Sequence, residues 1–128
     1  TRRVTLKDGF DARDMTVYLT INKRAGTDVK CYYKILSQFD PVPFDDCLWK
    51  PMSQSDNLNT ISLDADEFIE YQFDPTVTAP YVTAEAIQYT DGSATYSSYK
   101  TFAVKVVMNS TNTSVVPRIK DLRVIALA

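Results

Sequence analysis

The chain has 128 residues, the length of one domain, and its 14 basic and 16 acidic side chains leave a net charge of −2. Neither sign runs in a block, so the basic patch that a nucleic-acid or anionic-membrane partner would call for is missing. There is no histidine, which excludes a histidine-dependent catalytic triad and removes a common metal ligand.

A chain of this size buries roughly two-thirds of its unfolded surface and needs neither metal nor disulfide to hold its fold. Its two cysteines, Cys31 and Cys47, are therefore expected to stay reduced, with Cys31 acting as a small inward hydrophobe. No apolar run is long enough for a membrane-spanning helix, and no signal-peptide pattern is present. Because it begins at Thr1 rather than Met, the chain reads as part of a longer protein. All six prolines fall between apolar runs or at their edges, and Thr, Val, Ile, Tyr and Phe are plentiful, which favours strands.

In chain order, Thr1 to Leu6 suits a short edge strand, and Lys7 to Asp14 a turn with Phe10 as a plug. Met15, Val17, Leu19 and Ile21 alternate with polar residues, as do Val29, Cys31, Tyr33 and Ile35. With the polar Asn22 to Asp28 stretch and Gly26 between them, the two runs read as a long β-hairpin, Met15 to Leu36. Ser37 to Met52 is a proline-rich loop whose Phe39, Phe44, Leu48, Trp49 and Met52 should fold down over one end of the protein. Ser53 to Thr60 is polar and should be exposed; Ile61 to Ala65 suits a short strand or a single turn.

Glu67 to Asp74 alternates again, with Ile69, Tyr71 and Phe73 on one face. After the Pro75 to Pro80 connection, Tyr81 to Thr90 reads as a strand, and Asp91-Gly92 is a strong hairpin signal before Ala94 to Tyr99. In Lys100 to Met108 the inward set is Phe102, Val104, Val106 and Met108. Asn109 to Ser114 is a polar loop, and Leu122, Val124 and Ala126 face inward from a last strand, Leu122 to Leu127. These elements predict an all-β fold: residues 1–128 as a single antiparallel β-sandwich, jelly-roll-like, of seven or eight strands.

Few residues point to chemistry. Asp40, Asp45 and Asp46 lie close together, but their spacing fits no calcium loop and reads as turn capping. Glu67, Glu70 and Glu85 fall on solvated strand faces, two cysteines do not make a zinc site, and no glycine-rich phosphate loop exists. Asn109-Ser110-Thr111 and Asn112-Thr113-Ser114 fit the glycosylation pattern but read as turn chemistry. No metal, cofactor or catalytic residue is expected. The aromatics carry more: Tyr81, Tyr89, Tyr96 and Tyr99 gather around the second hairpin, and Trp49 stands in the apolar loop. Either they pack, or an exposed set of Trp49, Tyr89, Tyr96 and Tyr99 offers a binding face.

Three phrases carry a resemblance: TVYLTINKRAGTDVKCYYKIL, then FDPVPFDDCLWKPM, then YKTFAVKVVMNSTNTSVVPRIKDLRVIALA. Together they resemble domains in tail and baseplate structural proteins of T4-like contractile-tailed bacteriophages, including those of marine cyanobacteria. The closing strand type of such modules corresponds here to Pro117 to Ala128. The resemblance implies a non-catalytic virion component used in tail or baseplate assembly or host attachment. Its partners would be other virion proteins, and its parent an oligomer. It supplies no active-site residues. The alternative is a carbohydrate-binding module that recognises host surface glycans.

Overall fold

The structure, a computed structural model, describes residues 3–55, 61–64, 66–75, 87, 89–91, 93–111 and 117–127. The alternating runs become strands: β1 (Val4–Thr5), β2 (Asp14–Asn22), β3 (Thr27–Leu36), β4 (Lys50–Gln54), β5 (Ile69–Pro75), β6 (Tyr89–Asp91), β7 (Ala94–Tyr96), β8 (Thr101–Ser110) and β9 (Arg118–Leu127). A single 3-10 turn spans Phe44–Asp46, and there is no α-helix among the described residues. Seven strands form one curled antiparallel sheet in the order β1-β8-β3-β4-β5-β2-β9. β6 and β7 form a separate ribbon. The Asp-Gly signal is met there, since Asp91 pairs with Ala94 across the two-residue connection. Of the strand expected over Tyr81 to Thr90, residues 81–86 and 88 lie outside the described residues, as does the Pro75 to Pro80 connection beyond Pro75.

The long hairpin expected between Met15 and Leu36 does not form. β2 pairs with β5 and β9, and β3 pairs with β4 and β8. The two strands stand on different parts of the curled sheet with β4 and β5 between them. A period-two pattern says which face is buried but not which strand lies alongside. Two consecutive strands can bury their apolar faces in one core by facing each other across it as well as by pairing. The reversal is still tight: Gly26 has φ 84°, and the Thr27 N–H donates to the Arg24 carbonyl at 3.1 Å. β4 joins the two parts, pairing through Lys50 and Pro51 with β3 and through Met52 to Gln54 with β5.

The core lies inside the curl. Met15, Val17, Leu19 and Ile21 on β2 are fully buried, and Cys31, Tyr33, Ile35, Tyr71, Phe73 and Phe102 meet them. Ile69, Val104, Val106 and Val124 are partly buried against this cluster. Burying each large side chain is worth roughly 1.5–3 kcal/mol. Three expectations fail at the margins. Leu122 is 46% exposed because β9 is an edge strand; Met108, near the end of β8, is also exposed; and Phe10 is 64% exposed and plugs nothing. In their place Ala12, Ile87 and Tyr99 enter the core, Ala12 and Tyr99 through a bridge linking the approaches to β2 and β8.

The loops are held by specific bonds. Ile61 to Asp64 form no strand; the Ser62 N–H donates to the Lys23 carbonyl at 2.6 Å, and the Lys23 N–H donates to Ser62 Oγ at 3.0 Å. The buried Asn22 amide donates to the Asp64 and Glu67 carbonyls at 2.8 and 2.7 Å. The proline-rich loop folds down only in part. Phe44 is buried and Trp49 and Met52 are half-buried, whereas Phe39 and Leu48 are exposed. The reason is local: the 3-10 turn buries Phe44 against Lys34 on the outer face of β3, and strand β4 forms over Lys50–Gln54, where a loop was expected.

Candidate functional site

Alternation along β3 that sends Cys31, Tyr33 and Ile35 inward sends Tyr32 and Lys34 to the opposite face. β8 runs antiparallel beside it, and its register sets Lys105 opposite Tyr32. The 3-10 turn and the start of β4 bring Phe44 and Trp49 to the same side. The result is a row of alternating cations and rings. Arg3 Cζ stands 5.2 Å from the Phe44 ring centroid, and Lys34 Nζ stands 5.0 Å from Phe44 and 5.3 Å from Trp49. Lys105 Nζ follows at 4.8 Å from Trp49 and 5.0 Å from Tyr32.

A cation over the negative face of an aromatic ring gains about 0.5–1 kcal/mol at an exposed site and more when desolvated. Lys34 is the desolvated member. It is only 8% exposed, its stem lies along the sheet, and its ammonium reaches the Asp45 carbonyl at 3.4 Å. Chemically the row offers acidic side chains an exposed Arg3 and a half-buried Lys105 between aromatic walls, with Lys34 buried among them. The rings already carry cations, so a sugar stacking on them has to compete with an ammonium or guanidinium group. No member of the row is a nucleophile paired with a base.

Beside the row, the proline-rich loop and the β6–β7 ribbon enclose a cleft of about 250 Å³, lined in part by Ile35, Val42, Asp46, Cys47, Lys50 and Tyr89. Tyr89 ties it together. Its hydroxyl donates to Asp40 Oδ2 at 3.0 Å and accepts the Ser37 N–H at 2.8 Å. Burial, and then the Asp40 carboxylate, push its pKa well above the ordinary tyrosine value. Tyr96 packs on it with ring centroids 5.2 Å apart, and Lys50 Nζ stands 4.9 Å from its ring. Burial pulls the Lys50 ammonium below the usual lysine range.

The expected binding set is divided by this geometry. Trp49 is half-buried in the row, and Tyr89 and Tyr96 are half-buried at the cleft. Tyr99 belongs to the core: it is fully buried, donates its hydroxyl to the Asp14 carbonyl at 2.7 Å and meets Phe102 edge-on, so it has no surface to offer a partner. Tyr81 and Glu85 lie outside the described residues. Asp40 uses one oxygen for Tyr89 and the other for the Val42 N–H at 3.1 Å, as turn capping predicts. Among the described residues no three His, Cys, Asp or Glu side chains gather as metal ligands. Glu67 accepts the Leu63 N–H and Glu70 pairs with Arg123. Cys31 is buried and Cys47 half-buried in the loop, with no bond between them.

Sequence reasoning missed Arg3, Tyr32, Lys34, Phe44 and Lys105 as a group. Tyr32 and Lys34 were legible as outward residues on β3, but Lys105 joins them only through the β3–β8 register. No protein-family model, curated protein or solved structure matches the chain. No helix among the described residues is long and apolar enough to cross a membrane.

Proposed function

We propose that this chain is a non-catalytic interaction module of a bacteriophage virion. It serves in tail or baseplate assembly, with a role in host attachment, and docks on acidic segments of neighbouring virion proteins. The observation that carries the docking surface is the row Arg3–Phe44–Lys34–Trp49–Lys105–Tyr32, whose cations are held in place by the rings between them. The virion setting rests on the resemblance of the strand phrases. We read the curled sheet as a jelly-roll-like sandwich, with β1, β8 and β3 in one layer, β5, β2 and β9 in the other, and β4 passing between them.

The test is a charge reversal, Lys34→Glu with Lys105→Glu, introduced into the parent protein of such a phage. Tails are expected to assemble poorly while the purified domain keeps its β-type circular dichroism. Normal assembly and normal cross-linking to neighbouring proteins would remove the docking surface. Incubation with host envelope polysaccharides is expected to yield no cleavage products; concentration-dependent cleavage that survives removal of contaminating enzymes would overturn the non-catalytic reading.

A second reading, carbohydrate binding, is favoured by half-buried Trp49 beside a cleft that carries Asp46, Lys50 and Tyr89. On a glycan array, saccharide binding that Trp49→Ala abolishes and the double lysine reversal preserves would select this reading over protein docking.

A further inference from the structure

The curled sheet ends in two very different edges. One is β1, two residues long; the other is β9, ten residues long. An edge strand presents unpaired N–H and C=O groups to any strand that comes alongside, and proteins blunt such edges by shortness, proline, charge or a bulge. Shortness protects β1. β9 has neither proline nor glycine within it, and among the described residues it pairs only with β2. Its single irregularity is the shift in register opposite Thr20 and Ile21, which leaves the stretch from Asp121 onward regular. Ile119, Leu122, Ile125 and Leu127 are between 38% and 46% exposed along it.

The register sorts these side chains. Leu122 stands opposite Leu19 and Val124 opposite Val17, so both point to the core side, where β9 leaves Leu122 uncovered. Asp121 and Arg123 stand opposite Thr20 and Tyr18 on the outer side. An exposed leucine is thus flanked, one residue away on either side, by opposite charges.

We infer that β9 pairs antiparallel with β9 of a second copy of this chain, about a two-fold axis at Leu122. Directly opposed residues of an antiparallel pair share a face. In this register the two Leu122 side chains meet on the core side and extend the apolar interior of both copies. On the outer side Asp121 of each copy stands opposite Arg123 of the other, twice per dimer. Opposite charges stabilise such cross-strand pairs and like charges oppose them. The neighbouring registers are poorer: an axis at Arg123 sets two arginines against each other, and an axis at Val124 loses both Asp121–Arg123 pairs, whereas the axis at Leu122 keeps both and sets Lys120 opposite Val124. Arg123 already pairs with Glu70 and lies over Tyr18, 4.9 Å from its ring centroid, but a guanidinium has five donors and takes a second carboxylate. A self-complementary strand closes on its own copy, which is why the occupant is a second chain and not an unrelated segment.

The experiment is sedimentation equilibrium of the full chain from low micromolar to a few hundred micromolar. A reversible dimer is expected, with hydrogen-exchange protection of residues 118–127 that rises with protein concentration. Asp121→Arg should weaken the dimer by about tenfold or more, since each attractive pair becomes repulsive. Adding Arg123→Asp to it should restore the dimer, because both pairs return with their signs exchanged. Leu122→Asp should leave a folded monomer. Lys34→Glu with Lys105→Glu should leave dimerisation unchanged, which separates this interface from the docking row. A monomer throughout the concentration range, or a dimer indifferent to Asp121→Arg, would overturn the inference; the concentration-dependent exchange needs no variant and decides the matter should one misfold.

Discussion

The Tyr89 hydroxyl stands 3.0 Å from Asp40 Oδ2, and this bond fastens the β6–β7 ribbon to the proline-rich loop. Asp40 is buried, and the same hydroxyl accepts the Ser37 N–H, so one oxygen satisfies two groups of the loop. Tyr89→Phe leaves a buried carboxylate oxygen and a backbone N–H without that partner. The expected loss of stability is about 1–3 kcal/mol in urea titrations. A change under about 0.5 kcal/mol would mean water replaces the hydroxyl at no cost.

Leu19 and Leu122 stand opposite each other on β2 and β9, yet one is fully buried and the other 46% exposed. Leu19→Ala is expected to destabilise by about 2–4 kcal/mol through lost burial and the cavity left behind. Leu122→Ala, measured with the protein kept dilute, should cost under about 1 kcal/mol. Equal losses in thermal and urea unfolding would contradict the placement of β9 at the edge.

Of the two rings expected to anchor the proline-rich loop, Phe44 and Trp49, Phe44 is the buried one, held at the 3-10 turn with Arg3 and Lys34 against it, and Trp49 is half-buried. Phe44→Ala should therefore raise hydrogen exchange across residues 39–48 more than Trp49→Ala does. The reverse order, or no change in either variant, would show that the loop is held by its hydrogen bonds alone.

Burial pushes the Cys31 thiol from its ordinary 9.0 up to about 12. The folded chain keeps it neutral while the unfolded chain ionises it. Its contribution is therefore intact below about pH 9 and is lost as pH climbs toward 12. Tyr33, Tyr71 and Tyr99 are raised in the same direction by burial and add to the alkaline loss above pH 10.0. Lys50 runs the other way: its lowered value adds stability as pH rises toward 10.5. The difference between the native chain and Cys31→Val isolates the thiol. Between pH 9 and 10.5 the native chain should lose up to about 1 kcal/mol more per pH unit than Cys31→Val. Parallel pH profiles from urea midpoints would show that Cys31 reaches solvent in the folded state.

What the chain determines by itself is local. Side chains two residues apart on a strand share a face, so the apolar rows of Val17, Leu19 and Ile21, of Cys31, Tyr33 and Ile35, and of Tyr71 and Phe73 were readable as core without knowing any partner strand. The Asp91-Gly92 turn was readable for the same reason, since its geometry lies within four consecutive residues. Strand partners were not. A period-two row packs equally well beside its neighbour in sequence or across the core from it, and the curl of the whole sheet sent β2 to β5 and β9 and β3 to β4 and β8. The candidate site follows from that choice. Lys105 meets Trp49 and Tyr32 only because β8 lies against β3 in one register, and Tyr99 left the surface because its backbone bridges Ala12. Contacts between residues distant in the chain are set by how all the strands fill one interior together, which no single stretch encodes.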